Sequence, residues 1–344
     1  MKKIRDLVVF AAIFIPYLLL RVMPFAVVRL LAGLFGWAAW CVPSLRKLVA
    51  ANVQVAFPEL PAAERNRIVR RSFGHMMLNL LEFFWAAGIT RRVEDHYRME
   101  PEMLAELQRI RDTGTRFIYV TPHLGSWEGE AVIATHLVGV TLAAVVKPQK
   151  NPYLNWLLND RGRKAEKGVK VIFARGAMQA SMQALKAGDS IGLLIDQNTK
   201  VRSGGVFVDF FGMPVASSRS PAVLADYCRK HDIPLYVGYA SVVRKADGKN
   251  YAVVRPLSRP LADYTDDAEM VQELIAMGEA DIRQYPDQYL WLYRRFQYIP
   301  EDCPEAVRAR YPFYARQVDF RFMAKGGKGR ALREKQENGP DGDA

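Results

Sequence analysis

Cysteine and histidine are scarce in this chain of 344 residues, which contains three cysteines and five histidines. The cysteines Cys41, Cys228 and Cys303 are far apart, and no two of them have the C-x-x-C spacing of a redox or zinc motif. A disulfide framework is therefore not indicated, and a reducing, cytosolic compartment fits the distribution best. The chain also lacks an H-E-x-x-H zinc helix and a G-x-x-x-x-G-K-[ST] phosphate loop, so zinc-peptidase and P-loop nucleotide chemistry have no support.

Long uninterrupted hydrophobic runs are absent as well, although the N-terminus is strongly apolar. The first apolar run, residues 7–20, contains Pro16 and falls short of the roughly 20 residues that a straight transmembrane helix needs. Apolar blocks at residues 22–28 and 30–43 follow it. A secretory signal peptide is disfavoured, because no small-x-small cleavage site follows Leu20 and hydrophobicity resumes at once.

The flanks of these apolar blocks carry residues that are typical of a membrane interface. Lysine and arginine open the chain, and Arg21, Arg29, Trp37 and Trp40 stand beside the apolar blocks. These features predict a membrane anchor over residues 1–43, spanning or half-inserted. Because the basic residues come first, the N-terminus is expected on the cytoplasmic side. A buried core hairpin is the alternative.

Beyond the anchor, helical and strand patterns alternate along the chain. Residues 62–87 predict an amphipathic helix with arginines clustered toward its start. The later pattern predicts helices at 101–112, 127–137, 153–165, 176–187, 220–231 and 268–285, and strands at 116–121, 141–146, 169–173, 191–195, 206–211, 235–243 and 251–256. Strands separated by such helices predict an α/β sheet with crossover helices. No stretch resembles a linker, so residues 44–323 are expected to form one catalytic domain, followed by a disordered polar tail at 324–344.

One histidine, His123, stands at the end of a predicted strand in the segment VTPHLGSWEGE, residues 120–130. Strand ends at the carboxyl edge of an open α/β sheet are where such folds bind ligands. Gly125 and Ser126 suit a tight turn and a helix N-cap, and Glu128 follows closely enough to fold back on the imidazole. A carboxylate bonded to one ring nitrogen fixes the tautomer and leaves the other nitrogen as a base. The segment thus predicts a His–Glu general base acting on a hydroxyl, with backbone N–H groups of the turn facing a developing oxyanion. A histidine that only caps a helix or sits at the sheet edge is the alternative.

Five segments of the chain, taken together, resemble one family. They are HLGSWE (123–128), VVKPQKNPYLNWLLNDRGR (145–163), LLIDQN (193–198), VFVDFFGMP (206–214) and PDQYLWLYRRF (286–296), in the family's order and spacing. The chain resembles the late acyltransferases of lipid A biosynthesis, the lauroyl/myristoyl transferases related to glycerolipid acyltransferases, from its N-terminus to about Tyr311. Ser126 departs from the family's frequent asparagine, whereas glutamate at position 128 lies within its range.

The resemblance implies a glycerolipid-acyltransferase-like fold and transfer of a fatty acyl chain from acyl carrier protein to a hydroxyl of a phosphorylated, Kdo-bearing lipid A precursor. The expected place is the cytoplasmic face of the bacterial inner membrane, with no metal, cofactor or covalent acyl-enzyme required. By this likeness His123 is the catalytic base and Glu128 its partner. Arg163 and Asp196 are the predicted substrate-binding residues. The guanidinium of Arg163 suits an anionic group, and Asp196 stands at the end of the predicted strand 191–195. A solvated arginine is the alternative for Arg163, and a residue that positions the site or caps a turn is the alternative for Asp196.

Positive charge is in excess, and the resemblance assigns it to three partners. Lysine and arginine outnumber acids by 48 to 36, for a formal charge of +12. Such an excess suits an acidic carrier protein, an anionic membrane surface and a phosphorylated glycolipid acceptor. Nucleic acid is disfavoured, since no recognition motif is present and the basic residues are spread along the chain. The same sequence features are compatible with an acyltransferase for another glycolipid or an aminolipid, and with a noncatalytic basic protein that binds membranes or nucleic acid.

Overall fold

The computed structural model describes residues 2–87 and 89–318, and the tail predicted at 324–344 lies outside this part of the chain. The helices are α1 (Lys2–Val22), α2 (Phe25–Cys41), α3 (Pro43–Ala56), α4 (Ala62–Ala86), α5 (Thr90–His96), α6 (Pro101–Asp112), α7 (Gly129–Ile133), α8 (Pro152–Asn155), α9 (Ala177–Lys186), α10 (Ser220–Lys230), α11 (Asp267–Gln284) and α12 (Glu305–Arg308). The strands are β1 (Tyr97–Met99), β2 (Arg116–Thr121), β3 (Leu142–Val146), β4 (Val169–Phe173), β5 (Ser190–Leu194), β6 (Gly205–Asp209), β7 (Pro214–Ser218), β8 (Leu235–Arg244), β9 (Asn250–Pro256), β10 (Tyr298–Ile299) and β11 (Arg316–Gln317). π-helical turns extend α7 over Ala134–Val138 and α8 over Trp156–Asp160, and 3₁₀ turns lie at Arg163–Ala165, Val201–Ser203, Leu261–Asp263 and Pro286–Gln288.

Seven strands form one sheet in the order β1-β9-β8-β2-β5-β3-β4. Neighbours in it run parallel except β8 and β9, which pair antiparallel. β2 is central, so Ile118 pairs with Ile191 of β5 on one side and with Val237 of β8 on the other. Residues 117–121 of β2 are buried on both faces, which is typical of a central parallel strand under helices. β6 and β7 form a separate hairpin.

The predicted alternation of strands and helices is confirmed, with most element ends within two residues. The helix predicted at 153–165 is wrong as a single element, because α8 passes into a π turn and then, after Gly162, into a 3₁₀ turn. The sequence patterns predict neither β1 nor β7. β1 has only three residues and β7, with the sequence PVASS, shows no apolar alternation, so neither gives a strand signal.

The largest hydrophobic core lies on one face of the sheet, where α9, α10 and α11 pack together with α3 and the start of α4. Its bulkiest members, Phe73, Phe210, Trp291 and Phe296, are fully buried. The opposite face is covered by α6, α7 and the π turn that follows α7. This second face carries the cavity of the candidate site.

Helices α1 and α2 each pack one face against α4. Val28 and Ala32 are buried, and Gly36 lies so close to α4 that a Cβ there would be 2.7 Å from the Cα of Gly74. The outer face of the two helices is apolar and exposed, and it includes Leu7, Ile13, Ile15, Leu18, Leu19, Leu30, Leu34, Phe35 and Trp37. The N-terminal helices therefore have one face that packs on α4 and one apolar face that packs on no other described element.

The anchor predicted over residues 1–43 is not confirmed as a membrane span. Among the described residues no single helix is long and apolar enough to cross a bilayer. α2 and α3 reach that length and composition only as a pair, bent by 92° where they meet. The alternative prediction, a buried core hairpin, describes the inner faces of α1 and α2 but not their outer faces.

Candidate active site

The turn that carries His123 directly follows β2. Gly125 has a φ of +57°, and a Cβ there would lie 2.1 Å from the carbonyl oxygen of Val242, so a larger residue would clash with β8. The N–H of Gly125 donates to the carbonyl of Gln288 at 3.0 Å, and the N–H of Ser126 donates to that of Val242 at 2.8 Å. These contacts hold the turn between β8 and the segment 286–296, which fixes the position of the histidine.

The imidazole of His123 pairs with Asp196. Its Nδ1 lies 2.7 Å from Asp196 Oδ1, and the backbone N–H of His123 donates to Asp196 Oδ2 at 2.9 Å. The sheet explains the pairing, because Thr121 of β2 is in register with Leu194 of β5. Two parallel strands continued by two residues from this point bring position 123 beside position 196. The site therefore lies at the carboxyl edge of the sheet, as the sequence predicted.

The charge state of Asp196 defines the tautomer of His123. Burial acts to raise the pKa of Asp196, but its interactions with His123, which include two hydrogen bonds, and with the buried Arg295 outweigh burial, so the pKa lies below its usual range. An ionised carboxylate accepts a hydrogen bond from Nδ1–H, and in the neutral ring this leaves Nε2 as the acceptor nitrogen. The amide nitrogen of Gln197 lies 3.2 Å from this Nε2. His123 thus has the form of a general base whose free nitrogen is covered by one amide.

Glu128 does not contact the ring of His123, and the predicted hydrogen bond between them is wrong. Its carboxylate instead accepts two hydrogen bonds from the guanidinium of Arg163, one of them from Nε at 3.0 Å. Arg163 also donates to Asn159 Oδ1 at 2.9 Å. The helix α7 begins at Gly129, later than predicted, so Glu128 precedes it and reaches the 3₁₀ turn of Arg163 rather than the histidine. The catalytic roles of His123 and Glu128 stay predictions.

Three smaller expectations at the turn are corrected as well. Ser126 does not cap α7, since its hydroxyl pairs with that of Tyr97 at 3.0 Å. The N–H groups of residues 123–126 all donate to protein acceptors, so these four do not face an oxyanion. Asp196, predicted to bind substrate, is almost fully buried beneath His123, which favours the positioning role that was its alternative.

A cavity of about 920 Å³ opens beside His123. Glu128, Arg163 and Gln197 also line it at this polar end. From there it follows the face of the sheet under α7, where the lining is small or aliphatic and includes Leu142, Ala144, Gly192, Leu194, Ala240, Val242 and Ala252. A cavity of this size, largely apolar with a few convergent polar groups, is typical of a small-molecule site. Its lining suits a ligand that is apolar along most of its length and polar where it meets His123.

One further sequence pattern has no part in this site. Gly188, Ser190 and Gly192 have the G-x-S-x-G spacing of a hydrolase nucleophile elbow, which follows a strand and opens a helix. Here the pattern opens a strand instead, because Ser190 is the first residue of β5. Its buried hydroxyl accepts a hydrogen bond from the N–H of Phe117 at 3.1 Å, at the end of the sheet opposite to His123. Ser190 is therefore structural.

Comparison with known proteins gives one consistent match. The family model described as bacterial lipid A biosynthesis acyltransferase matches residues 2–298. The chain is 27% identical over 296 residues to the lipid A biosynthesis lauroyltransferase of Escherichia coli strain K12. The aligned region covers 82% of this chain and 89% of that protein. The chain is 25% identical over 287 residues to the palmitoleoyltransferase of that organism, with 81% and 87% covered, and 24% identical over 268 residues to its myristoyltransferase, with 76% and 78% covered. The residues that the family model matches include the turn of His123 and both ion pairs of the site.

Proposed function

This chain belongs to the bacterial lipid A biosynthesis acyltransferase family, and we propose that it transfers a fatty acyl chain from acyl carrier protein to a hydroxyl of a phosphorylated, Kdo-bearing lipid A precursor. The observation that carries the proposal is the apolar cavity of about 920 Å³ with the His123–Asp196 pair at its polar end. This arrangement brings an acyl chain and a base to one point.

His123 is the proposed general base. Its Nε2 takes the proton of the acceptor hydroxyl while that oxygen attacks the carbonyl carbon of the thioester. The C–S bond then breaks, and the imidazolium returns the proton to the departing thiolate of the carrier. Asp196 holds the ring and stabilises the imidazolium, as a buried carboxylate beside a histidine does in other acyl transfers. The amide of Gln197 has to leave Nε2 before the hydroxyl binds, since both occupy the same nitrogen.

The ion pair between Glu128 and Arg163 has a different proposed role. It lines the cavity within the same polar end, and its side chains are about one-fifth exposed, so it is accessible to a bound substrate. Glu128 fixes the guanidinium through two hydrogen bonds, and the N–H groups that remain point to no other described acceptor besides Asn159. A fixed guanidinium is suited to the anionic groups of a phosphorylated acceptor or to the thioester oxygen.

The N-terminal helices are proposed to lie on the cytoplasmic face of the inner membrane. Their apolar outer face suits the boundary between headgroups and acyl chains, where interfacial helices bind. α1 also contacts the segment that leads to Arg163, because Phe10 packs on Tyr153 at 5.6 Å and on Trp156 at 6.1 Å between ring centroids. The segment that carries the cavity-lining residues Leu158 and Arg163 thus packs on the helices that would hold the lipid surface.

Acyl carrier protein is proposed to dock through exposed basic residues near the mouth. Four basic residues lie within positions 164–175. Lys164 pairs with Asp160, Lys170 pairs with Asp189 at the end of the sheet opposite to His123, and Lys167 and Arg175 are exposed without an ion-pair partner among the described residues. Lys147 and Lys200 line the cavity and are likewise unpaired there. An acidic carrier suits this set, and several weak contacts together would steer its approach.

Acyl transfer by the purified full-length chain, placed in phospholipid vesicles, tests the proposal. Mass spectrometry is expected to show one added acyl chain when acyl carrier protein thioester and the Kdo-bearing precursor are both present. Lipid A from cells that lack the protein should carry one acyl chain fewer than lipid A from cells that have it. Faster transfer from acyl-CoA would contradict the donor assignment. An unchanged lipid A pattern together with acylation of another glycolipid or an aminolipid would contradict the acceptor assignment.

A further inference from the structure

Glu130 is an acidic side chain in the wall of the largely apolar cavity. It belongs to the first turn of α7, and the hydroxyl of Thr121, the last residue of β2, donates a hydrogen bond to its Oε1. Within the described residues its Oε2 has no hydrogen-bond partner and no basic side chain pairs with it. The proposed mechanism does not use this residue, and the general-base motif ends two positions before it. A polar group in such surroundings is costly unless a ligand satisfies it.

The surroundings of Glu130 favour the neutral form of its carboxyl. Burial raises its pKa well above the usual range, the hydrogen bond from Thr121 opposes that shift, and the nearby charge of Asp196 adds to it. A protonated carboxyl has an O–H donor as well as acceptor oxygens. With Thr121 donating to Oε1, the remaining oxygen is free to exchange a hydrogen bond with a ligand in the cavity.

A second unpartnered polar atom lies along the same cavity. The hydroxyl of Tyr119 has no hydrogen-bond partner in the described part of the chain, although this side chain is only 5% exposed. Tyr119 lines the cavity and precedes Thr121 by two residues on β2, so both side chains project from the same face of the sheet. A buried hydroxyl without a partner and a partly exposed carboxyl with one free oxygen, in a pocket otherwise lined for hydrocarbon, suit a ligand that carries a polar group as well as an apolar chain.

We propose that Glu130 selects an acyl chain that carries a hydroxyl group near its carbonyl end. This inference rests on the proposed function and names the donor class of the same site. The position near the carbonyl follows from the strand, because Thr121, which holds Glu130, lies two residues before His123, about 7 Å along an extended chain. The acyl hydroxyl and the carboxyl of Glu130 exchange a hydrogen bond, and a saturated chain leaves that carboxyl unsatisfied.

The test compares three thioesters of acyl carrier protein with equal chain length: saturated, 2-hydroxyacyl and 3-hydroxyacyl. The wild-type protein is expected to use one hydroxylated donor with kcat/KM about three- to tenfold above the saturated donor, the scale of one buried hydrogen bond. Glu130→Gln keeps a donor and an acceptor at the same position and should retain the preference. Glu130→Leu should lose it, because kcat/KM falls with the hydroxylated donor more than with the saturated one.

Several outcomes would overturn the inference. They are equal use of all three donors by the wild type, preference for the saturated chain, and an unchanged preference in Glu130→Leu. If Glu130→Leu does not fold, Glu130→Gln and Tyr119→Phe decide instead. A preference for the hydroxylated donor that persists in Tyr119→Phe but is lost in Glu130→Gln would contradict hydrogen bonding by a neutral carboxyl. Failure of the wild type to acylate any lipid A precursor would instead refute the proposed function, so the two failures are distinguishable.

Discussion

Two ion pairs flank the mouth of the cavity, and they differ in how the fold builds them. The His123–Asp196 pair joins the ends of two neighbouring strands, and its carboxylate side chain is 4% exposed. The Glu128–Arg163 pair joins two turns, and its side chains are 20% and 19% exposed. The first pair is held by the register of the sheet, which suits a base whose orientation has to be constant. The second is held by side-chain hydrogen bonds at the surface of the cavity, which suits the recognition of a charged group. The glutamate that lies close to the histidine in the sequence motif H-x-x-x-x-E is therefore not its hydrogen-bond partner in the structure, which is Asp196 instead.

Removal of the base is the largest expected effect. His123→Ala is expected to lower kcat by about 10²- to 10⁴-fold, because the acceptor hydroxyl loses the group that takes its proton. The melting temperature and the amount of protein bound to vesicles should change little. His231→Ala, at an exposed position on the end of α10, serves as the matched control. Near-normal turnover in a folded His123→Ala protein would leave the histidine with a structural role only.

Removal of the charge on Asp196 is expected to have the next largest effect. Asp196→Asn keeps the side-chain shape but loses the charge that stabilises the imidazolium and can favour the wrong tautomer. We therefore expect kcat to fall by about 10²-fold or more, up to the loss in His123→Ala. The double variant with His123→Ala should be no slower than His123→Ala alone, because both changes remove one function. Further loss in the double variant would mean that Asp196 acts on the reaction without His123.

The contrast between the two pairs also shows what the sequence can predict. The strands that end before His123 and Asp196 are both predicted, since each is a short apolar run. The pairing of the two residues is not predicted, because strand order depends on how distant segments pack. In the chain β2 and β5 are separated by β3, β4 and the three helices α7, α8 and α9. The register of Thr121 with Leu194 is the physical signal that the sequence alone does not contain. A sequence-based prediction that placed these strands side by side would have found the pair.

Other parts of the site are less accessible to sequence reasoning. The π turn at Trp156–Asp160 and the 3₁₀ turn at Arg163–Ala165 break a pattern with helical periodicity, and this break brings Arg163 to Glu128. Glu130 gives no signal in the sequence, because an acidic residue early in a helix is ordinarily a favourable partner of the helix dipole. Only the fold shows that this one faces a cavity.

The Glu128–Arg163 pair is expected to have an intermediate effect, and two double variants separate its role from that of the base. Glu128→Ala and Arg163→Ala should each lower kcat/KM about tenfold, mainly through KM for the phosphorylated acceptor, and together they should cost little more than either alone, because contacting residues are not additive. Glu128→Ala added to His123→Ala should lower activity further if Glu128 acts through Arg163. If Glu128 acts by orienting His123, as the motif suggested, the addition should change nothing. Steady-state kinetics with the acceptor varied, together with vesicle binding as a control for folding, measure both.

The smallest expected effect concerns stability and compares Asp196 with Glu130, two carboxyls whose pKa values shift in opposite directions. The folded-state pKa of Asp196 is depressed, so its ionisation contributes stability above its unfolded pKa of about 3.9, and this contribution is lost as the pH falls through the folded value. The free energy of unfolding of the wild type relative to Asp196→Asn should therefore decrease as the pH falls below about 4.

The folded-state pKa of Glu130 is raised, so its contribution to stability is fully present below its unfolded pKa of about 4.3 and is lost as the pH rises toward the folded value. The free energy of unfolding of the wild type, relative to that of Glu130→Gln, should thus decrease as the pH rises from about 4 to neutral. Denaturant unfolding of the three proteins across this pH range measures both differences, and each variant is the control for the other. Parallel pH trends in the two comparisons would show that one of the carboxyls does not have the charge state that its surroundings impose.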